Sequence, residues 1–198
     1  LVEAGAKHSK IKTSVGRSAQ TLLMPGTTLI REWDERQHRV AVIDAERKVI
    51  MRYISVGEAD NIESPHAIRV SPDNQNAYVC FTGGQYMQKI NTNTDQVVNR
   101  VKLTNIASGN PSWNILYVTP DSKSVLACNY LPAGNVVQYD ASAFSFQKFF
   151  DRMKFPHGIT STSNFDTVYV SSQWGNTVYK MPSNLTDFTL IQKISLDG

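Results

Sequence analysis

The sequence predicts an all-β fold assembled from one module of four short antiparallel strands, used about four times. Three observations predict it. First, a fifteen-residue stretch recurs without a gap. HAIRVSPDNQNAYVC at 66–80, NILYVTPDSKSVLAC at 114–128 and HGITSTSNFDTVYVS at 157–171 lie 48 and 43 residues apart. Second, a shorter stretch follows each of them and also stands alone near the start: VAVIDAERKV at 40–49, MQKINTNTDQV at 87–97, VVQYDAS at 136–142 and VYKMPSN at 178–184. Third, no stretch of ten or more residues carries a helical period. Instead, segments rich in Tyr, Val, Ile and Thr alternate with clusters of turn formers.

The elements follow in order. Residues 1–17 form a leading arm or partial strand, and residues 18–58 a first unit that is compressed near its start. The second unit occupies 65–104, with strands expected near 66–71, 76–82, 86–91 and 96–102. Ser71-Pro72-Asp73 breaks its first strand from its second, and residues 91–95 break its third from its fourth. Proline at the second position of such a turn suits the fixed φ that types I and II require. The third unit occupies 111–151, where Thr119-Pro120-Asp121 repeats the same turn, and the fourth occupies 156–196. A period in the forties with four strands per period is the signature of β-propeller blades.

The matching residues also carry a family resemblance. Tyr78-Val79 and Tyr169-Val170, with the Pro-His-X-Ile and Ser-Pro-Asp elements, resemble the YVTN family of β-propeller repeats. That family is similar in shape to the haem d1 domain of cytochrome cd1 and to quinoprotein dehydrogenase propellers. The resemblance covers roughly residues 18–196. Cys80, Cys128 and Ser171 stand where the family usually shows Thr, and Asn129 alone supplies the final Asn. The resemblance implies a seven-bladed ring, of which about four blades are present, so further blades or another polypeptide are expected to complete it. It implies little about activity, because one fold hosts many functions.

Bulk properties narrow the classes. The 198 residues are 41% hydrophobic and 19% charged, which suits a packed core. No run of about 18 apolar residues occurs, so no transmembrane helix is expected. Net charge is +3, and the densest basic group, Lys7 to Arg17, holds four cations. Scattered positive charge argues against nucleic acid, which draws it to one face. The chain begins at Leu1 with no leader, as a mature or partial chain would, and a periplasmic or extracellular location is the expectation.

Candidate site residues come from the repeat register. His66, Asn114 and His157 occupy one position in successive units, at the start of the strand that lines a propeller's channel. Neutral imidazoles there could ligate a metal, hold a haem or bind an anion. The alternative is that each histidine hydrogen-bonds a neighbouring blade. His8 and His38 fall outside this register and are expected to be solvated. Glu58, Asp60 and Glu63 lie in the loop before His66, as a cation site or a solvated loop. Cys80 and Cys128 share a position in adjacent units. Facing sheets lie about 10 Å apart, too far for a disulfide, so two buried thiols are expected.

Trp113, Trp174, Tyr86 and Tyr130 lie in or beside loops and are candidates for partner contact, with packing between blades as the other reading. No Cys-X-X-Cys-His, Walker, Gly-X-Ser-X-Gly or His-Glu-X-X-His pattern occurs. Asn184-Leu185-Thr186 is a glycosylation acceptor only in a eukaryotic secretory setting. The expected function is a non-catalytic, secreted or periplasmic propeller that acts as a binding or scaffold module for a protein partner or a small ligand, the latter in the channel, without a cofactor. The alternative is a redox or cofactor propeller, holding haem or a metal ion near His66 and His157.

Overall fold

The computed structural model describes residues 38–57, 64–103 and 112–196, and the backbone of 23–24 and 27–30. Four sheets of four antiparallel strands follow one another along the chain. The first blade holds β1 (Leu23–Met24), β2 (Thr27–Ile30), β3 (Arg39–Asp44) and β4 (Val49–Ser55). The second holds β5 (Pro65–Val70), β6 (Asn76–Phe81), β7 (Tyr86–Asn91) and β8 (Gln96–Lys102). The third holds β9 (Trp113–Val118), β10 (Ser124–Asn129), β11 (Gly134–Asp140) and β12 (Phe146–Met153). The fourth holds β13 (Pro156–Ser161), β14 (Thr167–Ser172), β15 (Thr177–Pro182) and β16 (Gln192–Ser195). Each blade is a meander, and from the second blade on the first strand lies against the first strand of the next, β5 with β9 and β9 with β13. This is a β-propeller arc. The arm 1–17 lies outside the described residues.

The recurring words become recurring hydrogen bonds. Between the first and second strands, a hydroxyl locks the turn three times. The Thr119 hydroxyl accepts from the Ser124 amide at 2.9 Å and donates to Asp121 Oδ1 at 2.6 Å. Ser71 does the same with the Asn76 amide and Asp73, and Thr162 with the Thr167 amide and Asp166. Asn74, Ser122 and Phe165 each take a positive φ at the close of this turn. Between the third and fourth strands, Asp44, Asn91 and Asp140 each accept two backbone amides in an Asx turn. Lys48, Asp95 and Phe144 then take positive φ.

The fourth blade departs from this plan. Pro182 occupies the Asx position and has no carboxylate to fold a turn around. A 3-10 turn, Phe188–Leu190, capped by Asp187, replaces it.

Blades pack through alternate residues of their two central strands. One apolar cluster joins the second, third and fourth blades around Tyr78, Leu116, Leu126, Tyr139, Val168 and Met181. A smaller one joins the first and second around Val40, Val42, Val79, Phe81 and Ile90. Burying one side chain such as Phe81 contributes about 2 kcal/mol. Both cysteines are buried and unpaired with each other, as their position between facing sheets predicts. His38 departs from its expected solvation: it immediately precedes β3, and its Nδ1 is buried without a hydrogen-bond partner among the described residues. No described helix is long and apolar enough to cross a membrane.

Candidate functional site

One irregularity repeats at the rim where the inner strands begin. Pro65 pairs with Phe81 and Ala67 with Cys80, so His66 is left out of the ladder. Trp113 pairs with Asn129 and Ile115 with Cys128, leaving out Asn114. Pro156 pairs with Ser172 and Gly158 with Ser171, leaving out His157. The three residues singled out by register are therefore the bulged residues of three consecutive inner strands. A bulge re-aims one side chain, and bulges gather at barrel rims and beside binding sites.

The bulged residues do not share one set of contacts. His66 Nδ1 lies 2.6 Å from the backbone carbonyl of Asn114, its counterpart one blade on. Asn114 is 8% exposed, and its Oδ1 accepts from the Ser112 hydroxyl at 3.0 Å. His157 instead packs on the Tyr130 ring in a T-shaped pair, with centroids 5.9 Å apart and planes at 79°. Burial lowers the His157 pKa below its ordinary 6.5, so the imidazole is neutral at physiological pH.

Around His157 the structure gathers residues that are far apart in sequence. The Trp174 indole N–H donates to the Tyr130 hydroxyl. Tyr130 also packs on Phe155, centroids 5.3 Å apart. Tyr130 is thus the hub of Phe155, His157 and Trp174. The loops that bring them together are tight. A Cβ on Gly134 would stand 2.4 Å from the Asn129 carbonyl oxygen and 2.5 Å from Pro156 Cδ. The Ser172 hydroxyl donates to the Lys154 carbonyl at 2.6 Å, tying the Trp174 loop to the segment before His157. Trp174 remains 65% exposed, the most exposed large hydrophobic side chain among the described residues.

The other aromatic candidates lie elsewhere. Trp113 is a correction: it is 0% exposed and packs in the core, so it cannot reach a partner in this arrangement. The second blade seals it, for the Cys80 thiol donates to the Trp113 carbonyl at 3.2 Å. Tyr86 is half-buried at the start of β7, with the Arg100 guanidinium 3.6 Å from its ring centroid. Phe155 escaped notice in the sequence, although it directly precedes the Pro156-His157 pair.

No group of three or more His, Cys, Asp or Glu side chains with metal-holding geometry occurs among the described residues. Glu58, Asp60 and Glu63 lie outside the described residues. Burial, reinforced by Cys80, pushes the Cys128 thiol well above its ordinary pKa, which suppresses the reactive thiolate.

Comparison with known proteins bears out the architecture. No family model and no curated protein sequence matches the chain. Among solved structures it is similar to the dihydro-heme d1 dehydrogenase NirN in complex with DHE, at 17% identity and a TM-score of 0.62, over 87% of this chain and 35% of that one. It is similar to the hydrazine synthase of Kuenenia stuttgartiensis at 17% identity and 0.65, over 80% and 50%. It is also similar to a putative 6-phosphogluconolactonase of Bacteroides fragilis at 14% identity and 0.66, over 89% and 53%. At these identities the likeness shows the fold alone, and the chain spans about a third to a half of each neighbour. The resemblance to cytochrome d1-like propellers therefore holds at the level of architecture.

Proposed function

We propose that this chain is a binding module of a non-catalytic β-propeller, periplasmic or extracellular, whose recognition element is the cluster of Tyr130, His157 and Trp174. The observation that carries this reading is the anchoring of Trp174. Its indole N–H is engaged by Tyr130 while most of its surface stays in solvent. An aromatic side chain held in one orientation loses little conformational entropy on binding, and such residues dominate recognition surfaces. Neutral His157 beside it adds one hydrogen-bonding nitrogen without a charge to desolvate. The ligand class that suits this surface is a protein segment or small molecule with a flat apolar face.

The test is a matched pair of affinity columns, wild type and Trp174→Ala, exposed to extract of the native source. A species held by the first and lost from the second is then titrated against both proteins by calorimetry. Equal affinity for the two would reject the proposal.

A second reading is a cofactor-binding propeller, favoured by the likeness to the dihydro-heme d1 dehydrogenase NirN, whose structure is a complex with DHE. The residues fit such a group in one respect. His66 donates through Nδ1 to a carbonyl, the kind of outer-shell bond that typically orients a ligating imidazole. Haem titrated into the protein would develop a Soret band that His66→Ala or His157→Ala abolishes. A band unchanged by both substitutions would remove this reading.

A further inference from the structure

Three side chains that carry polar groups stand in one row across the third blade. Trp113 on β9 pairs with Asn129 on β10, and Asn129 pairs in turn with Asn135 on β11. Residues directly opposite one another across a ladder share a face, so the three point to one side of the blade. All three are 0% exposed. Trp113 packs in the same apolar cluster as Cys80 and Met87, so the row faces the second blade. The middle residue is provided for, and its neighbours are not. Asn129 Oδ1 accepts the Ser112 amide at 3.2 Å. The Trp113 indole nitrogen and both ends of the Asn135 amide, Oδ1 and Nδ2, are buried without a hydrogen-bond partner among the described residues.

The neighbouring blades show that the fold does not demand this row. Where Trp113 stands, the second and fourth blades carry Pro65 and Pro156, whose side chains have nothing to donate. Where Asn129 stands they carry Phe81, which is fully buried, and Ser172, whose hydroxyl is engaged by the Lys154 carbonyl. Where Asn135 stands they carry Tyr86 and Thr177, both partly exposed. Of these three blades, the third alone buries an indole and an amide together. Buried polar groups in folded proteins are almost always hydrogen-bonded, to protein or to ordered water. An indole N–H only donates, whereas an amide both donates and accepts.

We propose that the third blade binds an internal water molecule between Trp113 and Asn135, on its face toward the second blade. The water accepts the indole N–H and bonds the Asn135 amide, so each of these side chains gains a partner. Size and chemistry both select water. β9 and β11 are separated by one strand, so the two backbones lie about 10 Å apart, and the gap calls for a bridge. With every member of the row 0% exposed, a larger ligand has no way in. An internal water needs two to four polar partners, and the indole and the amide supply three atoms. The same water secures the root of the hairpin Asn129–Gly134, from which Tyr130 packs on Phe155 and His157.

The experiment uses the intact 198-residue chain. Its three tryptophans give three indole N–H resonances, and Trp33→Phe and Trp174→Phe identify that of Trp113 by elimination. A cross-peak between the Trp113 indole N–H and water, of the sign given by a long-lived internal water, is expected in the wild type. Asn135→Leu is expected to abolish it. Urea unfolding supplies a second measurement. Trp113→Phe and Asn135→Leu should each lower the folded-to-unfolded ratio, and their combined effect should fall short of the product by about fivefold or more. The wild type also decides without any variant. Its crystal structure is expected to show an ordered water within about 3.2 Å of Trp113 Nε1 and of an Asn135 amide atom. An indole bonded directly to protein there would overturn the proposal. So would a missing cross-peak in the wild type, a cross-peak that survives Asn135→Leu, or effects that multiply to within about twofold.

Discussion

His66 Nδ1 lies 2.6 Å from the carbonyl oxygen of Asn114, the residue that holds the same bulge position one blade further on. A carbonyl only accepts, so Nδ1 carries the proton of this bond. The bond crosses a blade boundary and is half-buried. His66→Ala is expected to cost about 1–2 kcal/mol, measured by urea unfolding. The ring nitrogen shifts of the wild type should report the Nδ1–H tautomer. A ring found without a proton on Nδ1 would show that the bond is not formed in solution.

His157 gives a pH dependence of known sign. Its folded pKa lies below the ordinary 6.5 because burial disfavours the imidazolium. The unfolded chain therefore binds the proton more readily than the folded one below about pH 6.5, and stability falls as pH is lowered through that window. His157→Gln should remove this part of the slope. The check is the difference in unfolding free energy between neutral pH and about pH 5, compared for the two proteins. Identical slopes would place His157 in water.

The two tryptophans in described segments should separate cleanly. Trp113 is 0% exposed, and truncation to Ala leaves a cavity between blades costing about 3–5 kcal/mol. Trp174 is 65% exposed, so Trp174→Ala should change stability by about 0.5 kcal/mol or less. Urea midpoints of the two variants decide it. A large loss at Trp174 would mean that it serves packing rather than recognition.

Both thiols should be silent in the native protein. Cys80 and Cys128 are 0% exposed, and Cys128 is held protonated by burial. A thiol reagent is expected to titrate neither before unfolding and both after it. Fast reaction of Cys80 in the native state would reveal opening of the face between the second and third blades, and fast reaction of Cys128 opening of the face between the third and fourth.

Much of the fold was legible in one dimension. The second unit's strands, expected at 66–71, 76–82, 86–91 and 96–102, are observed at Pro65–Val70, Asn76–Phe81, Tyr86–Asn91 and Gln96–Lys102. They could be read because their ends are set locally, by hydroxyl-locked and Asx turns whose donors and acceptors lie within five residues of each other. The fourth blade's last connection was not legible, since Pro182 silently removes the carboxylate on which the other turns are built. Trp113 was misjudged for a different reason. It stands beside a loop in the sequence, but the second blade covers it.

The candidate site divides in the same way. That His66, Asn114 and His157 are equivalent follows from the repeat alone, because residues at one register position of a repeated module meet the same backbone geometry. That Trp174 finds Tyr130, 44 residues away, and that His157 turns to an aromatic ring while His66 turns to a carbonyl, does not. The sequence by itself determined the module, its turns and its bulge, which are contacts between near neighbours along the chain. Only the tertiary structure decided which loops touch, because neighbouring blades meet through residues that no local hydrogen-bond pattern ties together.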